Sequence, residues 1–201
     1  MVENTVIITA ENKEKTISRT IKSCIDQTNK KFEIIIAYSK LRNEKKIKQK
    51  FNLKNIFFYK IKKKLENKVH DQIYKIKQLT KISRGKNIFL LDGDDLFNKK
   101  KIETISKLLK LKNVMILDEY KITSNQKKFT RKIKSYKENF YFKELVNDWP
   151  KDVCTSAISI KKSLLLNFFN TINFKRYNFL AIDILLAIYC NKREKLLRIN
   201  K

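Results

Sequence analysis

Short apolar blocks punctuate this chain, and between them apolar residues recur three or four positions apart. Val6-Ile7-Ile8, Ile34-Ile35-Ile36-Ala37, Ile56-Phe57-Phe58-Tyr59, Ile88 to Leu91 and Val114 to Leu117 read as strands buried on both faces. Ile17, Ile21 and Ile25, four apart, form the apolar stripe of a helix. Ile73, Ile76 and Thr80 mark one side of a second helix, expected to stop with Gly85 at its C′ position. Lys99 to Leu111 predicts a third. From Asp118 to Pro150 the pattern weakens into a polar, basic, aromatic-studded excursion, with one short helix expected near Phe142 to Val146. Thr155 to Ile160 then alternates as a strand does, and helices are predicted over Lys161 to Phe169 and Phe179 to Tyr189. Short apolar strands alternating with helices predict a mostly parallel central sheet with helices on both faces. No internal repeat or linker divides the chain, so one α/β, Rossmann-like domain is expected.

Ligands in such folds bind beyond the carboxyl ends of the strands. One strand ends there in a cluster of charge: Asn87-Ile88-Phe89-Leu90-Leu91-Asp92-Gly93-Asp94-Asp95. Carboxylates this close raise one another's pKa unless something positive lies between them. Hard divalent cations such as Mg²⁺ and Mn²⁺ take oxygen ligands, which makes a metal the expected partner. The chain has only two glycines, and Gly93 supplies the permissive backbone for this loop. A solvated turn would use the same residue types, but it seldom follows directly on a buried strand.

Charge changes the picture less than its size suggests. The formal net charge is +27, which in other settings points to nucleic acid or an acidic membrane. Lys, Ile and Asn, with A/T-rich codons, make 86 of the 201 residues, and Lys outnumbers Arg 40 to 7. Planar bidentate phosphate recognition favours arginine, so most of the excess reads as compositional background and nucleic acid is not an expected partner. Cys24, Cys154 and Cys190 are widely spaced among apolar neighbours, without zinc spacing or a disulfide framework. Cys154 and Cys190 read as small core residues. His70, the single histidine, has no partner motif. There is no signal-peptide layout at the N-terminus, and the apolar run Ile184 to Cys190 is too short to span a bilayer. A soluble, cytoplasmic protein is expected, with peripheral contact to the anionic inner face of a membrane as an extension.

Three segments together resemble the family 2 glycosyltransferases, which have the GT-A fold. Val6-Ile7-Ile8-Thr9-Ala10-Glu11-Asn12, with Ile21 to Thr28 and Phe32 to Ile36, is similar to the family's first strand, first helix ending in Gln-Thr, and second strand. Gly85 to Asp95 resembles its glycine, apolar strand and Asp-x-Asp motif. Thr155 to Lys162, with Asp183 further on, resembles the acceptor-side strand and the helix that carries the catalytic base. The resemblance implies transfer of a sugar from a nucleotide-diphosphate donor, a UDP-sugar favoured, to a glycan or lipid-linked acceptor with inversion, in surface polysaccharide or glycan synthesis. It implies residues 1–118 as the nucleotide-sugar-binding part and 119–201 as the acceptor-side part. Asp92 would serve the ribose side, Asp94 with Asp92 would hold Mn²⁺ or Mg²⁺, and Asp183 would be the base. Thr9 and Gly93 would line the donor site.

The chain departs from the family where Ala37-Tyr38-Ser39-Lys40 follows the second strand without an aspartate. Glu11 is expected to supply the missing base contact and Tyr38 to stack on the ring. The competing expectation is a GT-A-like domain without turnover that binds nucleotide or nucleic acid. A sugar nucleotidyltransferase is disfavoured because no Gly-rich, basic phosphate loop follows the first strand. A phosphatase with a similar Asp-x-Asp would carry it on its first strand, and a polymerase with Gly-Asp-Asp needs a longer chain.

Overall fold

A computed structural model describes residues 1–62, 67–118, 120, 153–174, 176–177 and 180–199, and the backbone of 122–123 and 128–129. Its strands β1 (Asn4–Thr9), β2 (Phe32–Tyr38), β3 (Ile56–Lys60), β4 (Asn87–Asp92), β5 (Met115–Asp118), β8 (Ile158–Lys161) and β9 (Leu196–Ile199) form one sheet. The order is β3-β2-β1-β4-β8-β5-β9. Among these strands β8 alone runs antiparallel to its neighbours. Two further strands, β6 (Ile122–Thr123) and β7 (Lys128–Phe129), pair with each other as a separate antiparallel ribbon.

The helices are α1 (Ile17–Ile25), α2 (Glu44–Lys50), α3 (Lys68–Ile82), α4 (Lys101–Leu111), α5 (Lys162–Thr171) and α6 (Ile182–Asn191). Successive strand side chains point to opposite faces, so a strand covered on both sides must be apolar throughout. Ile7, Ile35 and Leu90 enter one core with Ile76 of α3, Phe168 of α5 and Leu186 of α6. Val6, Ile8 and Phe89 enter the other with Ile21 of α1 and Ile102 and Ile105 of α4. The mostly parallel three-layer sandwich is therefore as expected.

Several details differ. Gly85 is not a helix cap: α3 ends at Ile82, Ser83 is extended, and neither glycine has positive φ. A Cβ on Gly85 would lie 2.4 Å from the carbonyl carbon of Asn4, so this glycine lets the entry to β4 pass against β1. Thr155–Ala157 is a 3₁₀ turn rather than strand, and β8 starts only at Ile158. Helix α2 and strand β9 carry weak patterns and were not expected: α2 buries only Ile47, and β9 is a half-buried edge strand. The helix expected near Phe142 to Val146 lies outside the described residues.

Candidate active site

Strands β1 and β4 are neighbours, while the chain leaves β1 toward β2 on its other side. In open α/β sheets such a reversal of strand order marks the crevice where ligands bind, here at the carboxyl ends of β1 and β4. Thr9 and Asp92, the last residues of the two strands, are directly paired. The Gly93 N–H continues the ladder to the Thr9 carbonyl at 2.9 Å, and Thr16, entering α1, donates its hydroxyl to the Gly93 carbonyl at 2.8 Å. A Cβ on Gly93 would sit 3.0 Å from the Thr9 carbonyl oxygen and 3.1 Å from Ala10 Cα. The glycine is needed for close approach, not for positive φ.

Asp92 Oδ1 accepts from the Thr9 hydroxyl at 3.0 Å and from Gln72 Nε2 of α3 at 2.7 Å. Its carboxyl is pushed up to about 6: burial is the main cause, and Asp95, Asp94 and Asp183 add like charge against the Thr9 hydrogen bond. Asp183, in the first turn of α6, is near enough to add like charge to Asp92. Burial raises its own pKa against hydrogen bonds from backbone N–H groups, one of them Ile184 N at 2.8 Å. Asp94 is exposed and ion-paired with Lys13.

Sequence reasoning missed the residues that hold this cluster in place. The Ser156 hydroxyl accepts from the Asp92 N–H at 3.0 Å and donates to Asp95 Oδ2 at 2.5 Å, tying the end of β4 to the 3₁₀ turn. Lys101 is buried and donates to Asp118 Oδ1 at 2.7 Å and to the Ser156 carbonyl at 2.8 Å. Cys154 was expected in the core; it is only partly buried and borders the site. Its thiol is pushed up to about 11, first by burial and then by Asp95, Asp92 and Asp183. Ser156, Gln72 and Lys101 carry no motif, since each works through a contact with a distant segment.

Glu11 lies just past β1. Its Oε2 accepts from Lys75 Nζ at 2.8 Å, Ser39 N at 2.8 Å and Lys40 N at 3.3 Å. Burial works to raise its pKa, but those donors outweigh burial and hold it below the usual carboxylate range. Lys75, itself buried, also binds Asp71 at 2.6 Å. Glu11 Oε1 is buried and has no hydrogen-bond partner among the described residues. Tyr38 corrects an expectation. Its ring is completely buried in the core on the α1 side, and its hydroxyl donates to Glu44 at 2.7 Å, so it has no free face on which a base could stack.

Among the described residues no group of three or more His, Cys, Asp and Glu side chains is placed to hold a metal alone. The donor chemistry nonetheless fits a hard divalent cation. Asp95, Asp94 and Asp183 add like charge to an Asp92 carboxyl raised mainly by burial, and Lys13 already answers Asp94 with one positive charge. Mg²⁺-type sites commonly use one or two carboxylates and take their remaining oxygens from phosphate and water.

Residues 5–169 match the model of the family described as "Glycosyl transferase family 2". No curated protein matches at the sequence level. The fold is similar to that of S. aureus TarS, with TM-score 0.74 at 17% identity, over 100% of this chain and 35% of that one. S. aureus TarS 1–349 in complex with UDP-GlcNAc gives TM-score 0.63 at 14% identity, over 100% of this chain and 59% of that one. The mannosyltransferase PcManGT from Pyrobaculum calidifontis, in complex with GDP-Man and Mn²⁺, gives 0.62 at 11% identity, over 99% and 55%. This chain thus spans about a third to three fifths of the length of these proteins, whose GT-A-type architecture it shares.

Proposed function

The chain belongs to glycosyl transferase family 2, and we propose that it transfers a sugar from a nucleotide-diphosphate donor to an acceptor hydroxyl with inversion. What supports this is the acidic cluster Asp92, Asp94 and Asp95 at the carboxyl end of β4, with Asp183 near enough to act on Asp92 through its charge. Structures of similar fold have been solved with UDP, UDP-GlcNAc and GDP-Man, which supports a nucleotide-sugar donor, with a UDP-sugar favoured.

In this reading residues 1–118 bind the donor. Thr9 and Gln72 orient Asp92 toward the ribose, and Gly93 leaves room for the diphosphate. Glu11 Oε1, buried without a partner among the described residues, would accept an N–H of the base, the contact for which no aspartate follows β2. Asp94, with Asp92 beside it, would hold Mn²⁺ or Mg²⁺, which when bound offsets charge on the departing diphosphate. Residues 119–201 form the acceptor side. Asp183 takes the proton of the attacking hydroxyl, and its raised pKa makes it a stronger base than an exposed aspartate. The acceptor is a glycan or a lipid-linked glycan in surface polysaccharide synthesis, met in the cytoplasm or at the inner face of an anionic membrane.

The test is a screen of nucleotide-sugars for thermal stabilisation and hydrolysis, with Mn²⁺ and with EDTA, on the native chain and on Asp94→Asn. A donor bound to the native state raises Tm by mass action. The expected result is stabilisation by a UDP-sugar that needs Mn²⁺ and disappears in Asp94→Asn, with the fold retained. Equal stabilisation in EDTA would sink the metal assignment, and binding without any turnover on an acceptor series would sink the transferase.

A further inference from the structure

We infer that the end of the sheet opposite the crevice is a docking face for an anionic lipid surface. The inference deepens the transferase reading by naming the partner of this face. The parallel register brings the segments that enter the strands to one end of the molecule. They are knitted together there: Glu3 N–H donates to the Lys31 carbonyl at 3.0 Å, Lys162 N–H to the Lys86 carbonyl at 2.9 Å, and Met115 N–H to the Lys195 carbonyl at 2.7 Å.

Residues 1–3, 28–31, 51–55, 81–86, 110–114 and 192–195 make up this end. Their 27 residues hold 11 Lys and Arg against two acids, whereas the whole chain has 47 Lys and Arg in 201. Compositional background would spread lysines evenly, so this density marks a face. Of the two acids, Glu3 is already paired with Lys31 and Lys110. Apolar side chains stand among the cations: Leu53, Ile82 and Leu111 are three of the six exposed large hydrophobics among the described residues, and Leu111 is 83% exposed.

Cations around protruding leucine and isoleucine suit a lipid headgroup layer, where the cations meet anionic phosphates and the apolar tips enter the boundary region. Nucleic acid would leave those tips in water, and the cations are mostly lysine rather than the arginine that favours bidentate phosphate contact. Among the described residues no helix is long and apolar enough to cross a membrane, so contact would be peripheral. Docked this way, the crevice opens away from the lipid, which suits an acceptor glycan end carried clear of the surface.

The test is co-sedimentation of the full chain with vesicles of neutral phosphatidylcholine alone and with about a third phosphatidylglycerol, at low and high salt. The vesicles carry no donor or acceptor, so this result is independent of whether transfer occurs. Binding is expected only to anionic vesicles, weakening with salt. Lys54→Glu/Lys86→Glu/Lys112→Glu should weaken it by about a hundredfold or more, the equivalent of about 1 kcal/mol for each basic residue near the surface. The triple reversal Lys22→Glu/Lys45→Glu/Lys46→Glu, of equal net charge but on the exposed faces of α1 and α2, should weaken it far less. Leu53→Ser/Leu111→Ser should lower binding with charge unchanged. Thermal melts confirm that each variant is folded. Equal loss in the two triple reversals, no loss on removing the leucines, or tighter binding to a single-stranded RNA through the same residues would each overturn the proposal.

Discussion

Lys13 and Asp94 form an ion pair at the mouth of the crevice, between the chain just after β1 and the loop just after β4. Both side chains are more than a third exposed, so the pair is loosely held. If Asp94 holds a divalent cation as proposed, Lys13 would compete with it. Lys13→Met is expected to tighten Mn²⁺ binding to the donor-free protein by up to about fivefold, the equivalent of the ~1 kcal/mol that an exposed pair contributes. Electron paramagnetic resonance of free Mn²⁺ measures this directly. Unchanged or weaker binding would show that the lysine does not compete.

Asp92 is expected to give the protein without bound metal an acid-side stability gain. Its folded pKa of about 6 lies above the ordinary aspartate value of 3.8, so between these values the folded state holds more protons than the unfolded one. Stability from this group therefore rises as pH falls from above 6 toward about 4, and the penalty is complete above 6. Its full size is at most roughly 3 kcal/mol. Asp92→Asn keeps an acceptor for Thr9 and Gln72 without the charge. In EDTA the variant should melt higher than the native chain at pH 7.5, and the difference should vanish near pH 4. A difference independent of pH would contradict the assigned shift.

Asp183→Asn separates chemistry from binding. A base that acts on the acceptor hydroxyl contributes in the transition state, whereas the donor is held by other residues. Turnover on a true acceptor should fall by about a hundredfold or more, with donor affinity by calorimetry nearly unchanged. Normal turnover would place the base elsewhere.

Lys101 is expected to matter for stability and for the site at once. Breaking a buried ion pair by removing one partner costs about 3–5 kcal/mol. Lys101→Met should therefore lower Tm by roughly 10 °C in a chain of this size, and it should loosen the Ser156 turn that holds Asp95. Adding Asp118→Leu should recover part of the loss, because an apolar pair tolerates burial that a single charge does not. A loss below 1 kcal/mol in thermal or urea melts would show that the pair contributes little.

What the sequence determined by itself was the layered architecture and the place of the acidic loop. Runs such as Ile88 to Leu91 can satisfy a strand only where both faces are covered, and that local constraint survives any detail of packing. Asp92, Gly93 and Asp94 were legible for the same reason: charge directly after such a run has to lie at a strand end.

What only the tertiary structure decided depends on contacts between distant segments. Nothing near Ser156 foretells that its hydroxyl binds both Asp92 and Asp95, some sixty positions away. Gln72 reaches Asp92 only because α3 packs over β1, and Tyr38 lost its expected place because its side chain enters the α1 core instead of the crevice. The antiparallel insertion of β8 between β4 and β5 likewise follows from a return path that no local pattern encodes. Periodicity reports which face of an element is buried, but partners across the sheet are chosen by the whole packing, and the polar residues that steady the site belong to that second kind.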